Sequence, residues 1–125
     1  MLLDPNLVLF YVRNLEGSTN FYSELLNTHP IHTESDYVMF LLKSGLRLGL
    51  WSQSVVEPQP TLLGGGSELA FLVDSEPTVD KLFGHYQHKD FTIIQQPTHM
   101  DFGYTFVTCD PDGHRIRFFQ KNDNE

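Results

Sequence analysis

The sequence predicts an α+β protein built twice from one plan: strand, helix, three strands. Three observations carry that reading. Short runs rich in β-formers alternate with two stretches whose apolar residues recur at helical spacing. A segment holding two prolines and three glycines, Val55–Gly66, interrupts the chain near its middle. An offset of 61 residues lays Leu7 on Glu68 and Val12 on Val73, and one further residue of slippage brings Phe21 and Tyr22 near Phe83. Identity between the halves is low, but their order of elements matches, which marks an internal repeat. The whole is read as a single domain, 1–125, with a first βαβββ module over 6–54, a connector over 55–66 and a second module over 67–120.

"NLVLFYV" (Asn6–Val12) is apolar at both alternating sets of positions and reads as a buried strand. In "NLEGSTNFYSELL", Leu15, Phe21, Tyr22, Leu25 and Leu26 fall at helical spacing. Ser18 or a neighbour is the expected cap, and Pro30 stops the run. "DYVMFLLKSGLRLGLWS" reads as two strands joined by a turn at Lys43–Gly45. Past the connector, "ELAFLV" is a strand and "SEPTVDKLFGHYQH" a helix, with Ser75 as N-cap and Pro77 in its first turn. "FTIIQQ", "YTFVTC" and "HRIRFFQ" are the remaining strands. Pro97–Met100 and Asp101–Tyr104 read as loop, and His114 as part of a D-P-D-G turn.

With 125 residues, 40% of them apolar, and ten Phe beside five Tyr, the chain has enough volume for one real core. Sixteen acidic residues against eight basic give a net charge of −8, which repels phosphate backbones and anionic membranes; nucleic acid and membrane are excluded as partners. The single cysteine, Cys109, cannot form an internal disulfide and suits a reducing cytosol. Neither a signal-peptide pattern nor a membrane-length apolar run is present, so the expected location is the cytoplasm.

The doubled order, "YVRNLEGSTNFYSELL" near the start and "DPDGHRIRFF" near the end together resemble the vicinal-oxygen-chelate superfamily, which includes glyoxalase I, extradiol dioxygenases and bleomycin-resistance proteins. The resemblance runs from about Asn6 to Gln120. It implies mixed sheets curled into half-cups with helices outside, and a homodimer with sites in the cups or between subunits. Metal-dependent members carry one ligand on the first and last strand of each module. By strand alternation these positions fall on Leu7, Gly49, Glu68 and Arg117. A hydrocarbon, no side chain, a carboxylate and a guanidinium do not make a site for a hard divalent cation. No metal and no cofactor are therefore expected.

Glu68 and Arg117 are expected to pair across the vacated position, since a partly buried carboxylate needs a partner and a bidentate guanidinium suits it. The pair either fixes the polar end of a ligand or fills the old site as a structural salt bridge. Trp51 shares a strand face with Gly49 and Arg47, and an indole beside a glycine leaves a slot for a flat ring. Tyr37, Phe40 and the stretch "MDFGYTF" are further aromatic candidates. Within the superfamily, "PNLVLFYVRNLEGSTNFY", "LGLWSQS", "VDKLF" and "FGYTFVTCDPDGHRIR" resemble metal-free phenazine-antibiotic resistance proteins. That resemblance implies a non-catalytic binder that sequesters a planar aromatic antibiotic or toxin in a cleft between two subunits. It implicates Trp51, Ser52 and the segment Asp101, Phe102, Gly103 and Tyr104, with Arg47 or Arg117 as partner for a ligand carboxylate.

Rival readings rest on other residues. His29 with His32, and His85 with His88, have ligand-like spacing, but two ligands are short of the four a structural zinc takes. Cys109 lacks the basic neighbour that would activate a thiol, and reads as a small buried group. An enzyme without metal could use Glu68 as a general base, its pKa raised by burial, although Arg117 would oppose that rise. A metal-dependent isomerase, dioxygenase or transferase is opposed by the missing ligands.

Overall fold

A computed structural model describes residues 1–123. The chain divides into two compact units, Met1–Gly64 and Gly65–Glu125. The first contains β1 (Leu7–Val12), α1 (Leu15–Leu26), β2 (His32–Thr33), β3 (Tyr37–Leu41), β4 (Arg47–Ser52) and a 3-10 turn over Gln53–Val55. The second contains β5 (Glu68–Val73), α2 (Glu76–His88), β6 (Thr92–Met100), β7 (Gly103–Cys109) and β8 (Arg115–Lys121). Each unit is thus βαβββ around one four-stranded sheet, ordered β1-β4-β3-β2 and β5-β8-β7-β6. In both, the first strand lies parallel to the last and the other pairs are antiparallel, so the sheets are mixed. The fold is α+β, as expected. No helix of the described residues is long and apolar enough to cross a membrane.

Period-two alternation sets which side chains meet the helix in the first unit. Phe10, Val12, Val38, Phe40, Leu48 and Leu50 are buried, together with Tyr22 and Leu25 of α1, and the Phe10 and Tyr22 rings meet at 6.1 Å. The opposite face of β1 is not buried: Leu7 is 37% and Leu9 41% exposed. The expectation of a strand buried on both faces fails here, because apolar composition shows what a face prefers and not whether anything covers it. The cap of α1 also differs from expectation. Asn14 accepts the Gly17 N–H at 3.0 Å, and Ser18 lies one turn inside the helix, buried. Asn27, in the left-handed region at φ 51°, ends it before Pro30 is reached.

The second strand of this unit, β2, is only two residues long and includes His32, one of the histidines with ligand-like spacing. His32 instead hydrogen-bonds Glu34 at the surface.

In the second unit, α2 begins as the sequence requires: the Ser75 hydroxyl accepts the Thr78 N–H and Pro77 stands in the first turn. Its Val79 and Tyr86 are buried, as are Phe106, Ile116 and Phe118 of the sheet. Phe118 stacks on Phe71, Phe106 and Tyr86 at 4.7, 5.1 and 5.4 Å. His85 and His88 are exposed on α2. His114 is a turn residue as read, its N–H held by the buried Asp110 carboxylate at 2.9 Å.

Two segments read as loop are strand. β6 continues through Pro97 to Met100, because it is an edge strand whose register shifts between Ile93 and Gln95 and again between Gln95 and Thr98. An edge with irregular pairing tolerates a residue that has no N–H to donate. Asp101 and Phe102 alone form the tight turn, with Gly103 and Tyr104 already in β7. Gly103 has φ 153°, and a Cβ there would overlap the Gln120 carbonyl oxygen, so only glycine fits this close approach.

Candidate functional site

The sheet face away from α1 is a lattice of three rows fixed by strand register. Tyr11, Trp51 and Tyr37 form one row, Leu9, Gly49 and Met39 the next, and Leu7, Arg47 and Leu41 the third. Trp51 is partly exposed and meets Tyr11 edge-on at 6.3 Å. Among the described residues the Arg47 guanidinium has no ion-pair partner, so this apolar face carries one unbalanced cation.

Several expected members of the site stand elsewhere. Phe40 is fully buried on the helix side, since it is three residues from Tyr37 and so of opposite parity. Ser52 pairs with buried Val12 and takes the helix-side register, caught between the end of β4 and the 3-10 turn. The slot expected over Gly49 is already filled: a Cβ there would stand 2.7 Å from the Tyr37 hydroxyl and 2.8 Å from Leu9 Cδ2. Glycine at this position lets the Tyr37 ring lie across β4. Tyr11, the register partner of Trp51, also stands in this row and was not among the expected site residues.

In the second unit the expected Glu68–Arg117 pair forms. Arg117 Nε donates to Glu68 Oε1 at 2.7 Å and Nη2 to Oε2 at 3.0 Å, a two-pronged match of planar groups. Its third nitrogen, Nη1, donates to Gln95 Oε1 and Thr105 Oγ1, each at 3.2 Å. The Thr105 hydroxyl in turn donates to the Phe118 carbonyl at 2.7 Å. One guanidinium on β8 therefore reaches side chains on β5, β6 and β7. The hydrogen bonds from Arg117 hold the Glu68 carboxyl below its usual value, against the smaller opposing effect of burial. This direction is the opposite of the raised pKa expected of Glu68 as a general base.

Phe102 stands over this pair, its ring centre 5.8 Å from the Arg117 guanidinium carbon. Phe119 meets Phe102 edge-on at 5.9 Å. With Lys121 these residues line a cleft of about 440 Å³. Phe119 and Lys121 were missed in the sequence, although they follow Arg117 at steps of two and share its face. Asp101 is exposed at the turn, where its carbonyl accepts from the Asn122 side chain. Tyr104 is of opposite parity to Gly103 and Thr105. Its hydroxyl donates to Asp80 of α2 at 2.7 Å, which pushes the phenol up, and its ring lies 4.5 Å from His99, so Tyr104 is not among the residues lining the cleft. Burial likewise raises the Cys109 thiol, the opposite of an activated nucleophile.

A divalent metal does not fit. The two sheets use equivalent register at the vacated positions, Gly49 opposite Leu9 and Arg117 opposite Ala70. The first position offers only the neutral Tyr37 hydroxyl, and at the second the lone carboxylate is gripped at both oxygens by a permanent cation.

A family model described as the Glyoxalase/Bleomycin resistance protein/Dioxygenase superfamily matches residues 5–118. The chain belongs to that superfamily. Among superfamily relatives, a phenazine antibiotic resistance protein, EhpR of Enterobacter agglomerans, is 33% identical over 118 residues, covering 92% of this chain and 90% of its own. A solution structure from Agrobacterium tumefaciens is 38% identical with TM-score 0.86, over 97% of this chain and 99% of that one. A glyoxalase-related enzyme from Fulvimarina pelagi shares the superfamily fold at TM-score 0.83 and 22% identity, over 96% of this chain and 89% of its own.

Proposed function

We propose that this protein binds and sequesters a planar aromatic antibiotic or toxin of phenazine type, as a homodimer in the cytoplasm, and that binding without turnover is its contribution to resistance. The observation that carries the reading is the partly exposed Trp51, flanked across the strands by Tyr11 and Tyr37, on a face whose one cation, Arg47, is unpaired among the described residues. Aromatic faces of this kind stack flat rings, at roughly 0.5–1.5 kcal/mol per pair beyond the area buried. The name of the relative from Enterobacter agglomerans supports the ligand class. Sequestration needs no base or nucleophile, and it accords with a carboxylate at Glu68 held ionised by Arg117 and a thiol at Cys109 held protonated.

Trp51 is the only tryptophan and so reports on its own site. Titration of the chelator-treated protein with phenazine-1-carboxylic acid should quench its fluorescence saturably, at one or two ligands per dimer, after correction for absorption by the ligand. Equilibrium dialysis should show weaker binding to Trp51→Ala with the ligand recovered unchanged. Absence of saturation, or recovery of an altered ligand, rejects the reading. Sedimentation of the unliganded protein tests the dimer.

A further inference from the structure

The cleft of the second unit is lined by two aromatic rings and three charged side chains, and the charges do not cancel. Glu68 and Arg117 neutralise each other through two parallel hydrogen bonds, and Gln95 and Thr105 occupy the remaining guanidinium nitrogen. Arg117, expected from the sequence to meet a ligand carboxylate, is thereby committed to the protein on all three nitrogens. What remains is Lys121, on the same face of β8 four residues further on, with no ion-pair partner among the described residues. Asp101 and Asp123 stand near in sequence or at the adjoining turn, but neither lines the cleft.

From this charge balance we infer that Lys121 selects anionic over neutral aromatic ligands, its ammonium meeting a ligand carboxylate while Phe102 and Phe119 contact the ring system. The inference takes its ligand class from the proposed aromatic-binding function, treats the cleft of the second unit as a further site for that class, and adds the charge of the ligand and the residue that reads it. Arg47 is the rival cation, on the face that carries Trp51, and substitution of each cation in turn separates the two. An overall charge of −8 disfavours any anion, so an acid must find a local cation to bind as well as its neutral analogue. A compact ammonium on a flexible stem suits a carboxylate presented at varying positions on a ring, where a guanidinium fixed by its neighbours does not.

The test uses two probes of equal shape, phenazine-1-carboxylic acid and phenazine-1-carboxamide, with both dissociation constants measured by equilibrium dialysis. In Lys121→Gln the preference for acid over amide should fall roughly 1.5- to fivefold, the range of an exposed ion pair. Affinity for the amide should hold, and Lys121→Arg should restore the preference. Raising salt should shrink the difference in preference between the wild type and Lys121→Gln, since screening weakens the Lys121 contact while easing the general repulsion in both proteins alike. Lys43→Gln makes the same change in net charge at the turn of the first unit and should have no effect. An unchanged preference in Lys121→Gln, or one lost instead in Arg47→Gln, overturns the inference while leaving the binding function intact. Failure of the wild type to bind either probe rejects both.

Discussion

Tyr37 lies across Gly49, its hydroxyl 2.7 Å and its Cε1 2.9 Å from where a Cβ on that glycine would stand. The two residues are on neighbouring strands, with Trp51 the register partner of Tyr37. The glycine is therefore part of the aromatic face, since it sets how close one ring can come to the sheet and so how the next ring is flanked.

Gly49→Ala should disturb this face without unfolding the protein, because what the new methyl meets is the far end of two flexible side chains. The expected cost is about 1–3 kcal/mol, typical of overpacking, with a shift in Trp51 emission. Adding Tyr37→Ala should recover much of the stability. Urea denaturation followed by far-UV circular dichroism, with emission spectra of each variant, checks both effects.

Gly103 should behave differently. There a Cβ meets the backbone of Gln120, which cannot swing away, at φ 153°. Gly103→Ala should cost more than about 4 kcal/mol and yield little soluble protein. Gly45, at φ 97° with nothing within 4 Å of the added atom, should lose only about 1–2 kcal/mol on the same change, from backbone conformation alone. Expression yield and urea midpoints of the two variants separate steric overlap from strain.

Much of this was legible in the sequence. Element order and the Ser75 cap follow from periodicity and side-chain chemistry, and the Glu68–Arg117 pair from the superfamily resemblance carried onto these strands by parity. Parity also held information that was not used: Tyr37 and Phe40, three apart, cannot share a strand face, and Phe119 and Lys121 must share that of Arg117. Other features were not readable by these means. Whether Asn14 or Ser18 caps α1 depends on one to four residues of phase, and both types cap well. The passage of Pro97 through β6 depends on that strand lying at an edge, a fact of topology. The link from Tyr104 to Asp80 spans 24 residues and is set only when α2 packs beside β7.

The Glu68 carboxyl is held below its usual value of 4.5, so its contribution to stability is complete above that pH and is lost as pH falls through the lowered value. The wild type should therefore lose stability on the acid side more steeply than Glu68→Gln. Arg117→Met should cost about 1–3 kcal/mol at neutral pH by leaving the carboxylate and the Gln95 and Thr105 oxygens without their donor. Denaturation midpoints between pH 3 and pH 7, the interval bracketing the usual carboxylate range, test both.

Tyr104→Phe removes an exposed hydrogen bond to Asp80 and should leave stability nearly unchanged. Because Tyr104 faces α2, binding of phenazine-1-carboxylic acid should be unchanged within error. A loss of affinity measured by equilibrium dialysis would return this residue to the binding surface.

The four-strand reach of Arg117 also bears on supply. A coordinated ion has to be acquired, and it leaves when a stronger chelator competes or when the cell runs short. A guanidinium is made with the chain, carries its charge at every pH the cell meets, and cannot be exchanged for a wrong element. Cross-linking of this sheet is consequently complete as soon as translation and folding are, in metal-rich and metal-starved surroundings alike.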